Sequence, residues 1–181
     1  MPSFGDTLFA FTGWLRTTFL TDFSLWLSGT SFSLWLQTHF WVIPTLQSIH
    51  ILSIGALFGS AVMMDMRIYG IAGTSRSMAQ TTQRYWPWIW WSFLILLVTG
   101  VLLTVAEPVR ELINPIFWIK MALLPIAVVL NFLFQAAISR NTVNWDAKPA
   151  GHTAIRLGAA GLIILWIAIM FCGRWIAYAP T

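Results

Sequence analysis

The sequence predicts an all-α integral membrane protein, a four-helix bundle with an amphipathic helix lying in the interface at its amino-terminal side. Three observations carry that fold class. Of 181 residues, 58% are hydrophobic and only 9% are charged, against about 25% charged in a soluble domain. The apolar residues gather into four runs, each near the roughly 20 residues a bilayer crossing needs. The basic residues collect in short loops between those runs, where they set orientation rather than bind nucleic acid.

Residues 1–37 read as an interfacial segment and residues 38–181 as the bundle. Leu8, Phe11, Leu15, Phe19, Phe23 and Trp26 recur at helical spacing among Arg16, Thr17, Asp22 and Ser24, which suits one helix lying in the outer interface. Ser28-Gly29-Thr30 ends it, and a short apolar turn follows at Leu34-Trp35-Leu36. A fifth span is the competing reading, and Arg16 and Asp22 count against it. A cleaved signal peptide is not expected, because the amino terminus lacks a basic region and carries Asp6.

The four spans fall at about 41–64, 88–106, 116–139 and 154–177. Arg67, Arg76 and Arg84 follow the first; Arg140, Lys148 and Arg156 follow the third. Positive loops stay cytoplasmic, so both termini are expected outside, in the periplasm of a bacterial inner membrane. Aromatic belts agree: Tyr85, Trp86, Trp88, Trp90 and Trp91 cluster at one end of span two, and Trp41, Trp118, Trp175 and Tyr178 at the opposite ends.

His50 is the one histidine deep in an apolar run. Such residues are costly in a bilayer and mark functional sites by default. It lies about 13 Å below the outer end of its span at 1.5 Å per residue. At matching depth span two carries Thr99-Gly100, a small hydroxyl beside an absent side chain. His39 is three turns before His50. On span three Lys120, Asn131 and Gln135 fall within about 60° of one another, and span four carries Arg174 near its outer end. Lys120 and Arg174 are two cations above the level of His50.

That constellation suits haem b, with His50 on the iron and the cations at the propionates. It would also suit a quinone, with His50 donating to a carbonyl oxygen. The candidate cofactor residues are therefore His50, Lys120, Arg174, Asn131, Gln135, Thr99, Gly100 and His39, with His50 as the metal ligand. The plainer alternatives are a histidine bridging helices through Thr99 or Gln135, and cations that snorkel to headgroups or pair with Glu107 and Glu111. His152 lies in a loop too far in depth to be a second ligand.

Gly55 and Gly59 form a Gly-x-x-x-Gly step for which ordinary packing within the chain is the expectation and a second protomer the alternative. Met63-Met64-Asp65-Met66 raises Cu(I), since thioethers are soft ligands. One cysteine, Cys172, excludes an intrachain disulfide and a cysteine-built zinc site. No nucleophile–base set or phosphate loop appears, which disfavours hydrolases and ATPases.

Several elements occur together in a recognisable way: Pro44 and His50, Gly55, Asp65 to Gly70, Asn114 to Lys120, Asn131, and Gly173 to Tyr178. With them the chain resembles an uncharacterised bacterial family of small four-helix membrane proteins over nearly all of residues 8–178. It departs from that pattern at Gln47, where Glu is common, and at Gln135, where His can occur. There is a looser similarity to copper-resistance membrane proteins and small b-type cytochromes. The resemblance implies fold and topology and supplies no activity. The expected function is a membrane electron-transfer subunit holding haem b or a quinone, working with a second copy or a membrane or periplasmic redox partner. A cofactor-free assembly subunit and a copper permease are the alternatives.

Overall fold

The computed structural model describes residues 3–145 and 153–179. Among them lie eight helices: α1 (Phe4–Arg16), α2 (Phe19–Ser28), α3 (Ser31–Thr38), α4 (Val42–Tyr69), α5 (Met78–Ala106), α6 (Pro108–Leu112), α7 (Pro115–Trp145) and α8 (Thr153–Trp175). No strand occurs in the described residues, so the chain is all-α. Val42–Tyr69, Met78–Ala106, Pro115–Ile138 and Thr153–Trp175 are long and apolar enough to cross a membrane. This is a multi-pass membrane protein.

The single interfacial helix expected over the amino-terminal segment is three helices. Thr18 and Thr30 are the reason: each adopts extended backbone and accepts a hydrogen bond from the first turn of the helix after it, at Leu20 and Ser33. A threonine cap of this kind favours a new helix start by about 1 kcal/mol. Ser3 and Asp6 close a capping box at the start of α1. The Asp6 carboxyl is held below the usual aspartate range, first by the Ser3 backbone N–H and then by the Ser3 hydroxyl.

The long helices also outrun their apolar cores. α5 starts at Met78, ten residues before the apolar run, and carries Pro87 inside it. α4 continues past Met64 to Tyr69.

The chain divides into two compact units. The first comprises Met1–Ile51, Leu97–Ala122 and Ile169–Thr181; the second comprises Leu52–Leu96 and Leu123–Ala168. In the first unit, α2 packs on α6, with Ser24 and Pro108 fully buried. The Ser33 hydroxyl donates to the Val105 carbonyl at 2.7 Å, tying α3 to the end of α5. Asn114 is 0% exposed; its amide donates to the Ile176 carbonyl at 2.8 Å and its oxygen accepts from Ile116 N–H at 2.9 Å. One asparagine thus joins the start of α7 to the end of α8. Leu112, Ile116, Phe117 and Ile176 form the apolar cluster around it.

In the second unit, Trp86 and Trp90 meet edge to face, and the Trp90 and Phe132 centroids are 4.5 Å apart. The Tyr69 hydroxyl donates to the Arg156 carbonyl at 2.7 Å. Gly158 packs on the Phe134 ring, which lies 3.5 Å from where a Cβ would stand. At Gly55 and Gly59 a Cβ would meet nothing within 4 Å among the described residues. The expectation of packing within the chain is therefore not met there, and that face of α4 is open.

Candidate functional site

His50 and Thr99 share a hydrogen bond of 2.7 Å between Nδ1 and Oγ1. Thr99 is buried at 4% exposure, so water does not compete for this bond. Gly100 gives the ring its seat: a Cβ there would stand 3.6 Å from His50 Cε1, in ordinary contact, and a branched side chain would push the imidazole away. The residues placed at one depth by helical rise are thus in contact, all within the first unit.

The bond leaves Nε2 as the working atom of His50. Among the described residues it has no hydrogen-bond partner. The two ring nitrogens are linked by the tautomer. If Nδ1 carries the proton it donates to Thr99, and Nε2 presents a lone pair to a metal. If the Thr99 hydroxyl donates to Nδ1, Nε2 carries the proton and donates to an acceptor such as a carbonyl.

Lys120 is the second open group. It is half-buried in α7, and no hydrogen bond or ion pair holds its ammonium among the described residues. Gly173 makes room for it: Nζ lies 3.8 Å from where a Gly173 Cβ would stand. Lys120 is within electrostatic range of His50 and of Glu111. Glu111, in the connector helix α6, has a side chain only 14% exposed, with Arg110 at 3.5 Å; Arg110 also pairs with Glu107. Burial pushes the Glu111 carboxyl above its usual range, opposed by Arg110 and Lys120 and assisted by Glu107. The sequence offers Glu111 only as a candidate pair for the outer cations; its burial in α6 carries no mark there.

The other expected residues lie elsewhere. Arg174 is exposed; it donates to the Tyr178 hydroxyl at 2.7 Å and sits 5.1 Å over that ring. His39 caps α3, its Nδ1–H donating to the Trp35 carbonyl at 2.8 Å, with the ring among Trp35 and Trp41. Asn131 and Gln135 fall in the second unit. Asn131 lines a cavity of about 10 Å³ with Leu57, Trp90, Phe93 and Trp166, room for about one water. Gln135 is buried, and its Oε1 has no hydrogen-bond partner among the described residues. No group of three or more His, Cys, Asp or Glu side chains suited to a metal occurs among the described residues. Met64 is buried while Met63 is 39% exposed, so these neighbours face different surroundings.

Fold and site together define a multi-pass helical membrane protein with a histidine–threonine pair and a half-buried lysine in its spans. The chain belongs to the family of unknown function DUF6644, whose model matches residues 23–179. Comparison with curated proteins and with solved structures gives no match.

Proposed function

We propose that the protein is a membrane electron-transfer subunit that holds a redox cofactor, a quinone or haem b, at His50. One observation carries this reading: within the spans of the first unit, His50 Nε2 and Lys120 Nζ have no hydrogen-bond partner among the described residues. In a bilayer such groups are expensive unless a ligand satisfies them. A quinone has carbonyl oxygens that would accept from both, and it would carry electrons together with protons. Haem b would take His50 Nε2 on its iron and a propionate near Lys120. The donor set fits haem through one protein ligand only, since the Trp35 carbonyl holds His39. Arg174 is engaged by Tyr178, which leaves Lys120 as the cation of the site. The basic loops support a bacterial inner membrane with both termini in the periplasm.

The test is an optical spectrum of the purified protein, oxidised and then reduced with dithionite, beside quinone extraction. A Soret band lost in His50→Ala establishes haem. Extractable quinone lost in His50→Ala and Lys120→Met establishes the quinone. Neither, after expression with ample haem and quinone, sinks the cofactor reading.

A second reading is favoured by the His50–Thr99 bond itself, which ties α4 to α5 without any ligand. The protein would then be an assembly subunit whose open Gly55/Gly59 face meets a second copy or a partner.

A further inference from the structure

We infer that α1–α3 form a lid, seated in the surrounding lipid, over the His50–Lys120 site, and that the site's ligand is a lipid-soluble carbonyl compound arriving sideways from the bilayer. This rests on the cofactor reading above and narrows it.

The connector between α5 and α7 is the first observation. Residues 112–117, the end of the connector and the first turn of α7, are six consecutive buried residues, at a level where the chain entering a membrane span would ordinarily meet water. The amino-terminal helices cover it. Leu8 of α1 packs on the cluster of Leu112, Ile116, Phe117 and Ile176. α2 lies on α6. α3 is fixed by the Ser33–Val105 bond, and Leu36 packs with Val42 and Ala106. The three helices therefore rest on span ends and on the connector between α5 and α7.

The outward faces say what covers the lid. Phe9, Trp14, Phe19, Trp26, Phe32 and Trp35 are 63%, 59%, 76%, 65%, 52% and 45% exposed. The helices are 13, 10 and 8 residues long, too short for the roughly 20 residues of a crossing. They are docked on a connector at the edge of the bilayer, continuous with the lipid-facing spans. Aromatic rings at that level belong among headgroups and upper acyl chains. The occupant of this face is lipid of the same membrane.

The side wall is bare by contrast. Ile49 and Ile51 flank His50, and Val98 and Val101 flank Thr99-Gly100, at 40%, 66%, 52% and 57% exposure. A ligand with an apolar body crosses that wall at little cost, whereas a charged solute does not.

Cys172, the single cysteine, reports on this directly. It packs on the same apolar cluster as Leu8 and is within electrostatic range of Lys120. The full chain in lipid nanodiscs is labelled with a sulfonated, membrane-impermeant maleimide or with uncharged pyrene maleimide. The uncharged reagent labels; the charged one is slower by on the order of fiftyfold, the penalty of carrying charge through an apolar layer. Leu8→Ala or Leu36→Ala loosens the lid and recovers about tenfold of that difference. Should either fail to fold, Ser33→Ala carries the same test. A fully substituted, long-tailed benzoquinone at about ten times its Kd slows pyrene labelling about tenfold.

Equal rates for the two reagents in the unaltered chain overturn the lid, as do unchanged rates in every lid variant. Failure of the uncharged reagent overturns the lateral route. A Soret band without protection by the benzoquinone overturns the ligand class while the cofactor reading stands.

Discussion

Thr99→Val tests whether the His50 pair is a real link between helices. The substitution keeps the shape and removes the hydroxyl from a 2.7 Å bond at a site 4% exposed. Hydrogen bonds between membrane helices average about 0.6 kcal/mol and reach about 1.7. This one is short and shielded from water, so it belongs near the top, at about 1.5 kcal/mol, or roughly a tenfold change in the folded population. Thr99 has further interactions, so the single variant overstates the pair. A double-mutant cycle with His50→Phe removes that excess, with an expected coupling of about 1 kcal/mol. Unfolding is followed by steric trapping in bicelles. A coupling within about 0.3 kcal/mol of zero refutes the argument. If His50 ligates iron, Thr99→Val also weakens haem binding by about 10- to 100-fold, since Thr99 sets the ring's tautomer.

Asn114→Ala removes two buried hydrogen bonds, one to the Ile176 carbonyl just beyond α8 and one from Ile116 N–H in the first turn of α7, and leaves their partners unsatisfied; a loss of about 2–4 kcal/mol is expected in the same assay. Glu111 gives a pH dependence of definite sign. Its folded pKa is raised by burial, with Glu107 assisting and Arg110 and Lys120 opposing, so its contribution to stability is full in acid and lost as pH rises through the raised value. Glu111→Gln should therefore match the parent in acid and exceed it at alkaline pH. A thermal-stability profile in which the parent equals or exceeds the variant at high pH contradicts this.

The four spans are legible because an apolar run near 20 residues has one economical fate. Their ends are not, because α5 extends through Gln80, Thr81, Gln83 and Arg84, residues that carry no apolar signal yet form a sound first turn. The level of His50 with Thr99 and Gly100 follows from helical rise alone. The stripe of Lys120, Asn131 and Gln135 is a reading of angle along the continuous helix α7; Lys120 falls in the first compact unit and Asn131 and Gln135 in the second, a division that spacing does not record. The three amino-terminal helices were signalled by Thr18, Thr30 and the Ser3–Asp6 box, which the apolar periodicity overran. Asn114 left only a weak mark, an asparagine before a proline, and its role comes from Ile176, 62 residues on; Glu111 stood as one carboxylate among loop charges, and spacing does not record its burial.

The Ser33–Val105 bond spans 72 residues, which makes the order of synthesis matter. At about 5–20 residues per second, α3 is finished about 4–15 s before its anchor exists. Leu8 waits longer still for Ile176. During that interval the aromatic faces of α1–α3 need a surface that holds them without fixing them, and the membrane beside the growing chain provides it. These helices are made before their anchors and therefore take their places only after the later spans are in. A truncated or stalled chain leaves them adrift on the bilayer, presenting to quality-control proteases the helix faces that a finished chain covers.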